Sequence, residues 1–71
     1  MDHQEIARVQ AYLRQAFSNN QIRVMPPAKP NAPVEMYIGE EFIAVLYRDD
    51  DEGEISYALN MSILEEDLPE L

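Results

Sequence analysis

The spacing of hydrophobic positions changes once along this chain, from a helical period to a strand period. Over residues 2–20, "DHQEIARVQAYLRQAFSNN", apolar side chains recur at Ile6, Val9, Leu13, Ala16 and Phe17. Steps of three and four residues put them on one stripe of an amphipathic helix, with Arg8, Gln10, Arg14 and Gln15 on the other faces. Asp2 followed by Glu5 forms a capping box for its start, and "SNN" at 18–20 is a stop signal because asparagine tolerates left-handed backbone. After residue 21 the period falls to two. "IRVM" at 22–25 predicts a short strand with Ile22 and Val24 on one face, and "VEMYI" at 34–38 sets Val34, Met36 and Ile38 against Glu35 and Tyr37. "EISYALNM" at 54–61 turns Ile55, Tyr57, Leu59 and Met61 inward and Glu54, Ser56, Ala58 and Asn60 outward. "FIAVLY" at 42–47 is apolar on both parities, so it reads as a central strand covered on both sides. In "SILEEDLPEL", a second capping box, Ser62 with Glu65, opens a short helix interrupted at Pro69, with Leu64, Leu68 and Leu71 sharing a face.

The predicted fold is therefore α+β, one small domain over residues 1–71. An N-terminal helix packs on a three- to four-stranded antiparallel meander sheet, and a short C-terminal helix follows. Between the first two strands lies "PPAKPNAP", where Pro27, Pro30 and Pro33 recur every third residue. That repeat matches polyproline II, the form a partner groove can read. The plainer reading, a stiff surface connection, is preferred. A chain of 71 residues buries only about 60% of the surface its unfolded form exposes. With no cysteine to form disulfides, oligomerisation is the remaining common source of stability.

Charge narrows the partners. Residues 1–34 hold four basic side chains against two acids, whereas residues 35–71 hold only Arg48 against twelve acids. The net charge of −9 repels phosphate backbones and anionic lipid surfaces, so neither nucleic acid nor membrane is expected as a direct partner. No leader-like h-region is recognisable, and "FIAVLY" is far shorter than the roughly 18 residues of a bilayer span. A cytoplasmic protein is the expectation.

The acid-rich stretch "YRDDDEGEISY", 47–57, invites a calcium reading. With Gly53 at the sixth position of a calcium loop, Asp50, Glu52 and Ile55 fall on suitable places. The first ligand position is then Arg48 and the last is Leu59, and neither chelates. A hairpin fits better: a three-residue connection, Asp51-Glu52-Gly53, with glycine at positive φ. Counting back pairs Tyr47 with Tyr57, Val45 with Leu59 and Ile43 with Met61, apolar against apolar. No metal, no cofactor and no catalytic residue is expected. His3 is the only histidine and lies near the start of the chain, there is no cysteine, and Ser18, Ser56 and Ser62 each have a structural place.

That register has a consequence for the second sheet face. If Ile43, Val45 and Tyr47 face the helix, then Phe42, Ala44 and Leu46 project to the other side, joined by Tyr37 and Ala58 and bordered by Arg23, Glu35 and Ser56. One helix covers one face, so these five apolar residues form a candidate interface. A second copy, a different protein, or the chain's own C-terminal helix are the three possible covers.

The segments "EIARVQAYLRQAF", "IRV" and "YIGEEFIAVLYRDDDEGEISYALNMSILEEDL" together resemble a family of short, chiefly alphaproteobacterial proteins catalogued as a domain of unknown function. The resemblance runs over nearly the whole chain and is densest at Tyr37–Ile43 and Arg48–Tyr57. It implies a freestanding bacterial cytoplasmic domain and carries no activity, cofactor or catalytic residue to any position. The leading expectation is a non-enzymatic protein-interaction module, self-associating as a homodimer or binding another protein. The alternatives are an acidic decoy for a basic nucleic-acid-binding protein, and a weak metal or small-ligand binder.

Overall fold

Helix α1 (His3–Ala16) and four strands, β1 (Ile22–Met25), β2 (Val34–Ile38), β3 (Glu41–Asp49) and β4 (Ser56–Asn60), follow one another along the chain. The structure is a computed structural model and describes residues 1–30 and 32–71. The strands form one antiparallel sheet in the order β1-β2-β3-β4, the meander the alternation predicts. Helix α1 starts as its sequence dictates. The Asp2 carboxylate accepts the Glu5 N–H at 2.7 Å while the Glu5 carboxylate accepts the Asp2 N–H at 3.1 Å. It ends at Ala16, and Ser18 rather than either asparagine takes the left-handed conformation, φ 52°.

The core lies between α1 and one sheet face. Ile6 and Leu13 of the helix meet Ile22, Val24, Val34, Met36, Ala44 and Leu46, with Val9, Ile38 and Ile43 packed at its margin. Phe17, the last residue of the predicted stripe, lies past the helix end and is exposed. Two helix side chains also close the free edge of the sheet at β1. The Gln10 side-chain oxygen accepts the Val24 N–H at 3.0 Å, and the Arg14 Nε donates to the Ile22 carbonyl at 2.7 Å. Main-chain groups with no neighbouring strand thus find partners on α1.

Two features set the faces of β3. A two-residue turn joins β2 to β3, with Gly39 at φ 62°, backbone that side chains disfavour. The register then shifts between Met36 and Tyr37: Met36 lies opposite Ala44 but Tyr37 lies opposite Phe42, which leaves Ile43 as an extra residue in a bulge. Beyond the bulge, Ala44 and Leu46 point to the helix and are 1% and 3% exposed.

This corrects the predicted register. The connection from β3 to β4 runs over residues 50–55 and contains a 3-10 turn at Asp51–Gly53, with Glu52 and Gly53 both at positive φ. The pairs are Leu46 with Leu59, Tyr47 with Ala58 and Arg48 with Tyr57, one residue out of step with the count from a three-residue turn. A one-residue shift exchanges the two faces of a strand. Ala44 and Leu46 therefore belong to the core and not to the candidate interface, and Val45 and Tyr47 take the outer places. Tyr57 and Leu59 keep the predicted helix-side orientation, being paired with Arg48 and Leu46.

The C-terminal segment shortens to one 3-10 turn, Glu65–Asp67. Its N-cap position is Leu64 with no side-chain hydrogen bond, so the Ser62 capping box does not form. Ile63, Leu64, Leu68 and Leu71 remain exposed. A helix this short is held by tertiary packing of its apolar face, which these leucines lack. The proline repeat is interrupted by a turn in which the Ala32 N–H donates to the Lys29 carbonyl at 3.1 Å, and its Asn31 lies outside the described residues.

The parity of β3 is testable by stability. Leu46→Ala should cost about 2–5 kcal/mol in urea unfolding, as buried leucine truncations do, whereas Tyr47→Ala should stay within about 1 kcal/mol as an exposed change. The reverse order would restore the predicted register.

Candidate functional site

Three features stand outside the core: a polar cluster at the start of α1, a trough between α1 and β4, and the outer sheet face. The cluster is built on Glu5, which the capping box already orients. Its Oε2 accepts the Tyr57 hydroxyl at 2.6 Å and the Arg48 Nε at 2.7 Å, while Oε1 serves Asp2. Arg48 also reaches Asp50 at 3.3 Å. Arg48 and Tyr57 are a directly opposed pair on β3 and β4, so one carboxylate ties the helix start to the hairpin.

An acid, a tyrosine and an arginine are in contact here, and each shifts the proton affinity of the others. The hydrogen bond from Tyr57, followed by those from the Asp2 backbone and Arg48, holds Glu5 down at about 2 from an ordinary 4.5. The same hydrogen bond raises the Tyr57 phenol, and Glu5 raises the Arg48 guanidinium. Each group is pushed away from neutrality, the opposite of what a proton shuttle needs. The arrangement acts as a clamp.

Beside the clamp, a trough of about 460 Å³ is lined by Val9, Tyr12, Leu13, Leu46, Tyr57 and Leu59, with Glu5 and Arg8 as its charged members. Helix α1 bonds the edge of β1 at Gln10 and Arg14 and meets β4 through Glu5 at Tyr57, and the residues of β4 stay exposed.

The outer face carries some of the residues expected there. Tyr37 and Phe42 pack edge to face, centroids 5.8 Å apart at 77°. The Arg23 guanidinium lies 5.8 Å from the Tyr37 ring centre and donates through Nη2 to the Gly39 carbonyl at 2.6 Å. The Tyr37 hydroxyl donates to Glu35 at 3.3 Å. Phe42 and Tyr47 are 52% and 48% exposed, and Val45 and Ala58 stand on the same side by alternation. Of the five predicted residues, the structure brings Tyr37, Phe42 and Ala58 to this face. Val45 and Tyr47 were missed because "FIAVLY" is apolar on both parities, so its pattern alone does not choose between faces.

The acidic loop uses its side chains locally. Asp49 accepts the Asp51 N–H at 3.0 Å and Asp50 meets Arg48. Among the described residues no three His, Asp or Glu side chains converge as metal ligands. No helix among them is long and apolar enough to cross a membrane.

Residues 5–67 match the model of a family described as a protein of unknown function, DUF3126. No curated protein and no solved structure matches the chain.

The clamp predicts an acid dependence of stability. A carboxyl whose folded value lies below its unfolded value stabilises the fold above the unfolded value and loses that contribution as pH falls toward the folded one. Thermal melts should therefore show stability declining from pH 4.5 toward 2. Glu5→Gln should lower Tm at pH 7, and its difference from the parent should shrink across that interval. An equal difference at pH 7 and pH 2 would remove the clamp.

Proposed function

Since the chain belongs to the DUF3126 family, whose description names no activity, we propose from its geometry that it is a non-enzymatic, self-associating protein-interaction module. The observation that supports this is the outer sheet face. Tyr37, Phe42, Val45, Tyr47 and Ala58 form an apolar surface edged by Arg23 and Glu35, and the C-terminal segment that was one candidate cover has its own apolar side chains in solvent. Large exposed apolar patches rimmed by polar groups mark interaction surfaces. A small sheet sheltered by one helix gains stability from such association. The proton affinities at Glu5, Arg48 and Tyr57 support the non-enzymatic half of the reading, because each is shifted away from neutrality.

Light scattering coupled to size exclusion, from micromolar to near-millimolar protein, tests the proposal. The expected result is a mass above one copy that rises with concentration, reduced in the double variant Phe42→Glu, Tyr47→Glu while far-UV circular dichroism is unchanged. A one-copy mass throughout would overturn it.

A further inference from the structure

The two edges of the sheet are treated differently. The edge at β1 is short, is followed by Pro26-Pro27, and has its outward main-chain groups taken by Gln10 and Arg14. The edge at β4 has no proline and no bulge, and the helix reaches this strand through Glu5 at the Tyr57 hydroxyl rather than at its main chain. Residues 55–64, "ISYALNMSIL", are ten in succession without a charge, in a chain where 27% of residues are charged. Unprotected edges of this kind pair with another strand, and natural proteins ordinarily blunt them.

Main-chain direction across the sheet follows from the β1 edge. In an antiparallel sheet each residue sends its N–H and C=O to the same side, and successive residues alternate. Ile22 and Val24 face outward to α1, so Arg23 and Met25 bond to Tyr37 and Glu35. Met36 and Val34 then bond to Ala44 and Leu46, and Tyr47 and Asp49 bond to Ala58 and Ser56. Tyr57 and Leu59 are left with their main-chain groups directed at the open edge. Their side chains stand on the helix side, and Ile55 and Met61, which flank the strand, are 56% and 55% exposed.

We infer that a second copy of this chain docks along β4, antiparallel and with the two-fold axis at Ala58, joining two four-stranded sheets into one of eight strands. In that register Tyr57 bonds to Leu59 of the other copy, and Ile55 meets Met61. The single alternating stripe is self-complementary, as a two-fold contact requires. The same pairing sets apolar side chains of one copy at the mouth of the other's trough, beside Tyr57 and Leu59. The opposite alignment, parallel, would not close on two copies. The inference rests on self-association and adds a contact separate from the outer face, which the Phe42→Glu, Tyr47→Glu variant tests by itself.

A chain without cysteine makes the test direct. Facing Ala58 residues would form a non-hydrogen-bonded pair with Cα atoms about 4.5 Å apart, inside the disulfide range of about 4.4–6.8 Å. The two Ser56 residues, on the same face, would be about 14 Å apart. Mild oxidation of full-length Ala58→Cys should give a covalent dimer in high yield, and Ser56→Cys should not. In the unsubstituted protein, amide hydrogen exchange at Tyr57 and Leu59 should be slow and become faster on dilution. Equal crosslinking at both positions, or fast exchange at both amides in a multimeric sample, would overturn edge pairing and leave the self-associating module standing. A one-copy mass at every concentration would remove both.

Discussion

One carboxylate ties the start of the helix to the β3–β4 hairpin. Glu5 completes the helix cap through one oxygen and, through the other, binds side chains 43 and 52 residues further along the chain. A local device and a tertiary anchor share the same group. Its charge is spread over a backbone N–H, a phenol and a guanidinium, and charge-assisted bonds of this kind are stronger than neutral ones. The side chain is only partly exposed, at 20%, so solvent screening weakens but does not erase these bonds.

The placement of α1 follows from that anchor and from a second one. Glu5 fastens the start of the helix to the β3–β4 hairpin, while Gln10 and Arg14 fasten its later turns to the edge of β1. A helix held at these two places covers Ile22, Val24, Val34, Met36, Ala44 and Leu46 and leaves the residues of β4 exposed. The trough, the open edge and the uncovered outer face are consequences of one helix serving a sheet of four strands. They are also the surfaces through which a marginal domain can gain burial from a neighbour.

Much of the fold was legible in the chain. The helix, its capping box and the four strands rest on periods of 3.6 and two, which local backbone geometry imposes whatever surrounds them. The candidate interface was legible only in part. Tyr37 and Ala58 lie on strands whose alternation is unambiguous, and they fell on the expected side. Phe42 did so because a bulge at Ile43 offset the parity error in the rest of the strand. Ala44 and Leu46 did not, because nothing in a uniformly apolar run distinguishes one parity from the other. The turn that could have distinguished them was one residue out of register with a three-residue connection.

By itself the sequence determined the element order, the antiparallel meander, the helix start and the acidic character of the second half. These are set by periodicity, capping chemistry and formal charge, all of which act over a few residues or over the whole composition. The tertiary structure alone decided which face of β3 is buried, that Glu5 reaches Arg48 and Tyr57, that one sheet edge is closed and the other open, and that the C-terminal leucines stay in solvent. Those outcomes depend on the relative placement of segments tens of residues apart, and a single extra residue in a turn or bulge is enough to exchange inside and outside.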